Sequence, residues 1–402
     1  ISKEGIPTIS YYGIDAGICL AQSIDDDLIT WTKLSDNPVI REPREGDPGW
    51  GVYNVFDPHI WLDGETYYAI LGGNVKPHEL RDTAYVFKSE DLHHWTYLHP
   101  FYTPRPEWTD PVEDCACPDF FKLGNRYVLS CISHAYGARY YLGQYQDGLF
   151  MPEEHHRMNW AGGSCFAPES LVDNQQRRVF WAWVLDQRKG EWIIKNELGV
   201  MTLPRILSLD SQGQLLIKPP EELESLRSNL RQLDSFMIKP GVELSLTDIM
   251  GDCMELIVQA SVPDGGLFGL KVRMSPDGGE QTVISVDTAA HSLSVNTTHT
   301  SLRTDIYQPY PLMRGDARKD VRIQTAPFTL ESGALLELRV FLDRSILEVF
   351  ANDRQCMTQR VYPTQPDSLA ITLFSLCGDT KVELLQAWDI SATNSLPAET
   401  GV

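Results

Sequence analysis

An all-β protein, a β-propeller followed by a β-sandwich, is what the sequence predicts, and three observations carry that reading. Helical periodicity is almost absent. Instead, short runs rich in Val, Ile, Tyr, Phe and Trp alternate with Gly, Pro, Asn and Asp turns. A segment of the form D-L-x-x-W occurs twice, as Asp27-Leu28-Ile29-Thr30-Trp31 and Asp91-Leu92-His93-His94-Trp95. Its spacing of about 60 residues fits one four-stranded blade with a long connection. Finally, the two halves differ in composition. Nine of the ten tryptophans precede Leu230, and beyond it the strands alternate apolar and polar residues.

Taken in order, the first half offers strands at Ile9-Ser10-Tyr11-Tyr12, Thr66–Leu71, Arg126–Ser130 and Val179–Val184. One helical piece follows, Pro219–Leu226, with proline at its start, acids in its first turn and leucines three apart. The second half reads as Leu256–Ala260, Thr282–Val286, Leu336–Leu342 and Ile346–Phe350, each with one polar face, which suits packed sheets. The expected domains are a partial propeller over 1–218, a linker over 219–229 and a sandwich over 230–402.

A chain of 402 residues has ample material for buried cores. Its formal net charge of -21 argues against nucleic acid, because no basic patch is available to neutralise phosphates. The same charge disfavours an anionic membrane surface, and no apolar run has the length of a membrane-spanning helix. A neutral sugar or polyol suits this balance. The eight cysteines are scattered and read as small buried hydrophobes. Cys115 and Cys117 form C-x-C, which is not zinc-ligand spacing, so neither a metal nor a cofactor is expected.

Two segments carry candidate chemistry. In Asn54-Val55-Phe56-Asp57-Pro58-His59-Ile60-Trp61, an aspartate opens a strand. Facing a central funnel, ionised Asp57 accepts hydrogen bonds from sugar hydroxyls, and these strengthen as the ring becomes an oxocarbenium ion. One blade later, Glu113-Asp114-Cys115-Ala116-Cys117-Pro118-Asp119-Phe120-Phe121 places three carboxylates around a Cys-Pro pair. Carboxylates followed by aromatics suit proton donation to a leaving oxygen. Asp119 is expected to accept bonds from nearby backbone N–H groups. Aromatics such as Trp61, Trp108, Trp160, Trp181 and Trp183 offer ring faces for stacking on a sugar.

These motifs resemble glycoside hydrolase family 32, the invertase, inulinase and levanase group, along nearly the whole chain. Val55-Phe56-Asp57-Pro58 resembles the family's R-D-P motif, and Cys117–Leu123 its E-C-P-D-L-F-K-L motif. Phe166-Ala167-Pro168-Glu169-Ser170 followed by Arg177–Trp183 resembles the segment ending in R-R-I-L-W-G-W. Leu203-Pro204-Arg205 and Glu221–Arg227 match its linker, and Phe341–Asn352 resembles its D-R-S-x-x-E-V-F motif. The resemblance implies a five-bladed propeller with a sandwich, and retaining hydrolysis of β-fructosides such as sucrose or fructans, with Asp57 as the transition-state stabiliser. Asp343, Arg344 and Glu348 are expected to maintain the fold.

Three departures qualify the carry-over. The family's nucleophile lies in a W-M-N-D-P-N-G motif, which has no match here, so the first blade is expected to be missing and the chain to be a fragment or processed product. Phe56 replaces the R-D-P arginine, and Ala116 replaces the glutamate that donates the proton. Glu113 is the first candidate to inherit that role and Asp114 the second, with Glu169 a further possibility. Asp114 shares the face of Ala116 about 7 Å along an extended strand, whereas Glu113 needs a bend to reach inward. Phe56, His59, Trp61, Glu169 and Trp183 are the candidate substrate contacts. A catalytically impaired fructan-binding protein is the alternative reading.

Overall fold

The computed structural model describes residues 6–13, 17–74, 82–186, 188, 199–312 and 318–392, and these form an all-β chain. In the first half, antiparallel sheets follow one another along the sequence. The first comprises β1 (Thr8–Gly13), β2 (Gly17–Ser23), β3 (Trp31–Lys33) and β4 (Ile40–Arg41). The second runs β5 (Pro58–Asp63), β6 (Thr66–Asn74), β7 (Asp82–Ser89) and β8 (Thr96–Pro100) in sequence order. In the third, β9 (Ala116–Leu123), β10 (Arg126–Ser133), β11 (Gly137–Gln146) and β12 (Leu149–Arg157) pair in the same simple order. A fourth holds β13 (Cys165–Val172), β14 (Arg178–Leu185), β15 (Gly199–Met201), β16 (Arg205–Leu209) and β17 (Leu215–Lys218).

The D-L-x-x-W repeat has one cause in both copies. Leu28 and Leu92 adopt left-handed backbone, with φ of 57° and 69°. The carbonyl of each accepts the indole N–H of its tryptophan, from Trp31 at 2.9 Å and from Trp95 at 2.7 Å. A carboxylate holds each turn, though from different positions: Asp25, two residues before the motif's Asp27, accepts the N–H groups of Ile29 and Thr30, and the motif's own Asp91 accepts those of His93 and His94. The repeat is therefore a turn that delivers the chain into the strand after it, β3 in one sheet and β8 in the other.

Contacts divide the chain into two compact units. One contains Ile1–Met158, Phe166–Ser170 and Pro311–Arg318; the other contains Asn159–Cys165, Leu171–Tyr310 and Lys319–Val402. Residues 219–229, expected as a linker, lie within the second unit. In the first unit, Ile70, Val86, Phe101, Cys115, Phe120, Leu129, Tyr141 and Phe150 form a buried core between the second and third sheets. Each such side chain removed from water contributes about 1.5–3 kcal/mol.

The second unit holds two further large sheets, besides the short pair Pro309–Tyr310 and Lys319–Asp320. Cys253–Ser261, Leu336–Asp343, Ile346–Ala351, Gln355–Arg360 and Thr380–Ile390 belong to one, and Glu243–Met250, Leu267–Met274, Gln281–Asp287, Ser292–His299, Ile323–Pro327 and Ala370–Leu376 form the other. Strict alternation in Gln281–Asp287 and Ser292–His299 buries every second side chain, as a half-covered strand requires. The helical piece is a 3-10 turn over Glu221–Leu226, behind Pro220 and ended by extended Arg227. Leucines three apart share a face at three residues per turn. Five cysteines are buried, and all eight are free thiols.

Candidate active site

Asp57 immediately precedes β5 and is half-buried. Its backbone carbonyl accepts the N–H of Gly72, and its Oδ2 accepts the N–H of Cys117 at 3.1 Å and the Cys117 thiol at 3.4 Å. Cys117 can offer both donors because its backbone is left-handed, with φ of 45°. Burial and the Asp57 charge push its thiol upward, so it stays protonated and donates. Gly72 and Gly73 bring β6 against Cys115, where Gly73 and Cys115 exchange backbone hydrogen bonds. A Cβ on Gly72 would stand 2.3 Å from the Cys115 carbonyl oxygen. The close approach thus fixes Asp57 against the Cys-Pro segment.

Glu113 is fully buried and does not face a groove. Its Oε2 accepts Nη1 of Arg139 at 2.5 Å and Nη1 of Arg157 at 3.1 Å. Its Oε1 accepts Nη2 of Arg157 at 2.7 Å and the N–H of Asp110 at 3.0 Å. Both of its oxygens are thus occupied by guanidinium and backbone donors inside the protein. The residue expected first as proton donor sits in a buried ion-pair cluster. Asp114 is also buried; its two oxygens accept the backbone N–H of His134 at 2.9 Å and meet His134 Nδ1 at 2.7 Å. Both candidates from the Cys-Pro segment are engaged inside the protein, because the segment turns inward at Ala116, which is itself completely buried.

Glu169, on β13, lies elsewhere. It lines a groove of about 340 Å3 with Ser10, His59, Trp61, Leu62 and Tyr67. The side chain reaches solvent through the groove while the surrounding chain crowds it. That desolvation pushes its carboxyl up to about 8, and the charges of Asp119 and Asp57 add to the rise. Water in the groove moderates the effect. Asp119, fully buried, accepts the Ser170 hydroxyl on Oδ2 at 2.5 Å, and its Oδ1 lies 3.5 Å from His59 Nδ1.

The remaining expected contacts divide. His59 and Trp61 line the groove with Glu169. Trp61 is also anchored in the core, stacked on Tyr68 at 5.6 Å and against Phe120 at 5.1 Å, so one face is committed to packing. Phe56 stands outside the groove lining and packs on His134 at 6.2 Å. Trp183 belongs to the second unit and does not line the groove. One ligand atom each from His59, Asp119 and Glu169 lies within 4.8 Å of the others, a donor set that a divalent cation could use. Positions 59, 119 and 169 carry no ligand spacing in sequence, which is why no metal is expected from it.

Comparison with known proteins identifies the family. Residues 14–219 match the N-terminal domain model of glycosyl hydrolases family 32, and residues 222–389 match that family's C-terminal model. Fructan 1-exohydrolase w3 of Triticum aestivum is 29% identical, covering 96% of this chain and 74% of its own length. The insoluble isoenzyme 1 of beta-fructofuranosidase from Oryza sativa subsp. indica is 26% identical, covering 97% and 77%. The same fold occurs in fructan 1-exohydrolase IIa from Cichorium intybus, at a TM-score of 0.80 and 22% identity over 97% of this chain and 82% of that one. With both halves matched by the family's two models, the chain belongs to glycosyl hydrolase family 32.

Proposed function

We propose that the protein is a β-fructofuranosidase-class glycosidase that hydrolyses β-fructosides such as sucrose or fructans, with Glu169 as the proton donor and Asp57 as the stabiliser. One observation carries the assignment of the donor: Glu169 is a groove-facing carboxyl raised to about 8, so it holds its proton at neutral pH. Glu113 and Asp114, by contrast, are spent on Arg139, Arg157 and His134. Glu169 gives its proton to the glycosidic oxygen as the bond to the anomeric carbon breaks, and the leaving group departs as an alcohol. Ionised Asp57, steadied by the Cys117 N–H and thiol, accepts hydrogen bonds from fructosyl hydroxyls, which tighten as positive charge develops on the ring. In the family mechanism an enzyme carboxylate attacks the anomeric carbon, and water then frees the fructose. The family's W-M-N-D-P-N-G nucleophile motif has no match among these residues.

Incubation with sucrose, inulin and levan, with free fructose as the readout, tests the activity. Saturable binding without release of fructose would sink it and identify a sugar-binding protein. Where fructose is released, Glu169→Gln separates the donor from the activity: an undiminished rate removes Glu169 from the mechanism. We also read 1–218 as a partial propeller domain and 230–402 as a sandwich, joined at 219–229. Limited proteolysis that never cuts there would count against this division.

A further inference from the structure

The second unit contains a cavity whose chemistry is opposite to that of the chain as a whole. It measures about 390 Å3 and is lined by Arg188, Arg273, Arg303 and Arg344 with Ser345 and Tyr362, and among the described residues no aspartate or glutamate lines it. Four guanidinium groups converging on one cavity is an unusual arrangement in a protein of net charge -21. Like charges gathered this way repel, and the cost falls when an anion enters.

The arginines are not equally committed. Arg188 gives its Nε and Nη2 edge to Asp186, at 3.0 and 2.5 Å, and stacks over Tyr362 at 5.2 Å. Arg303 gives the same edge to Asp305, at 2.8 and 2.5 Å. Arg273 differs. It is only 7% exposed, and among the described residues its Nε and Nη1 have no hydrogen-bond partner, although Nη1 lies 3.2 Å from Asp252. Burial lowers its pKa, opposed by the charge of Glu280. The Glu280 carboxylate is itself occupied by the N–H groups of Leu302, Thr364 and Gln365 and the hydroxyls of Thr364 and Ser368. Arg344 is exposed, with left-handed backbone (φ 50°) fixed by its N–H to the Asp252 carbonyl.

Arg273, paired in charge with Asp252, still holds buried donors without a hydrogen bond among the described residues, and it faces a cavity walled by three more guanidinium groups. We propose that this cavity binds a phosphate group, held by Arg273 and Arg344 with Arg188 and Arg303 closing around it. Guanidinium forks match the oxygens of a tetrahedral oxyanion, and several of them suit a dianion better than a monoanion. The cavity is roomier than a lone phosphate needs, which leaves space for a group attached to it.

The test titrates the full chain with inorganic phosphate and, separately, with glucose 6-phosphate, at constant ionic strength, by calorimetry and thermal unfolding. Glucose serves as the control. Binding saturates, and the melting temperature rises with ligand concentration as expected for a ligand of the folded state. Tighter binding of the ester identifies a sugar phosphate as the occupant, and equal binding identifies the free ion. Arg344→Ala, at an exposed position, keeps the fold and weakens binding about tenfold, the loss expected for one charge-assisted contact. Arg303→Ala weakens it as well. Absence of saturable binding by wild-type protein, or equal affinity in both variants, overturns the proposal.

Discussion

In the proposed mechanism Glu169 is the proton donor, a carboxyl raised above its ordinary value in the groove that it lines. Its ordinary value is 4.5, and desolvation with the Asp119 and Asp57 charges lifts it to about 8. If its protonated form is the active one, kcat/KM on sucrose is level from neutral pH up to about that value, the carboxylates of the mechanism remaining ionised there. Above it the rate falls about tenfold per pH unit, as the donor loses its proton. In Glu169→Gln the rate is low and this alkaline limb disappears; a limb that persists assigns it to another group. The same shift sets a stability trend. An acid whose folded pKa is raised is stabilised by its proton below the unfolded value, and that advantage is lost as pH rises toward the folded one. Glu169→Gln therefore melts higher than wild type at pH 8 and close to it at pH 4, a difference that thermal unfolding at the two pH values measures. Neither the groove nor the rise of Glu169 is readable from Phe-Ala-Pro-Glu-Ser, since both come from His59, Asp119 and Asp57, far away in sequence.

The junction of the second and third sheets works as one element. The Cys-Pro segment was legible as a site from its carboxylates, but which of them face substrate was not. Arg139 and Arg157, at 26 and 44 residues from Glu113, decide that, and no local spacing announces them. With Glu113 and Arg139 both fully buried, Glu113→Gln leaves guanidinium charge uncompensated. The expected cost is about 3–5 kcal/mol of unfolding free energy, read from the urea midpoint. A variant of wild-type stability with turnover abolished would restore Glu113 as the acid. Gly72→Ala tests the same junction from the other side. Its new methyl meets the Cys115 carbonyl, so it costs about 1–3 kcal/mol. It also lowers turnover by shifting Asp57, whose carbonyl bonds Gly72; wild-type values of both would show that the close approach is not needed.

Across the whole molecule, motifs distant in sequence meet in buried ion pairs. In the second unit Arg205, from Leu-Pro-Arg, donates Nη2 to Glu348 of the Asp-Arg-Ser motif at 2.6 Å and to the Thr358 hydroxyl at 2.5 Å. Glu348 also accepts the N–H of Leu203 at 2.5 Å, and both charged side chains are 1% exposed. Glu348→Ala is expected to cost about 3–5 kcal/mol, because Arg205 is left buried without its anion. An unchanged melting temperature would contradict that. The all-β class, the turn repeat and the family motifs were legible in the sequence, because alternation, turn residues and short contiguous motifs are local properties. The roles of the carboxylates and the gathering of the arginines were decided only by the tertiary structure. Charge, burial and solvent access at a side chain depend on neighbours that the fold brings from tens or hundreds of residues away, and those neighbours hold Glu113 and Asp114 in place while leaving Glu169 facing the groove.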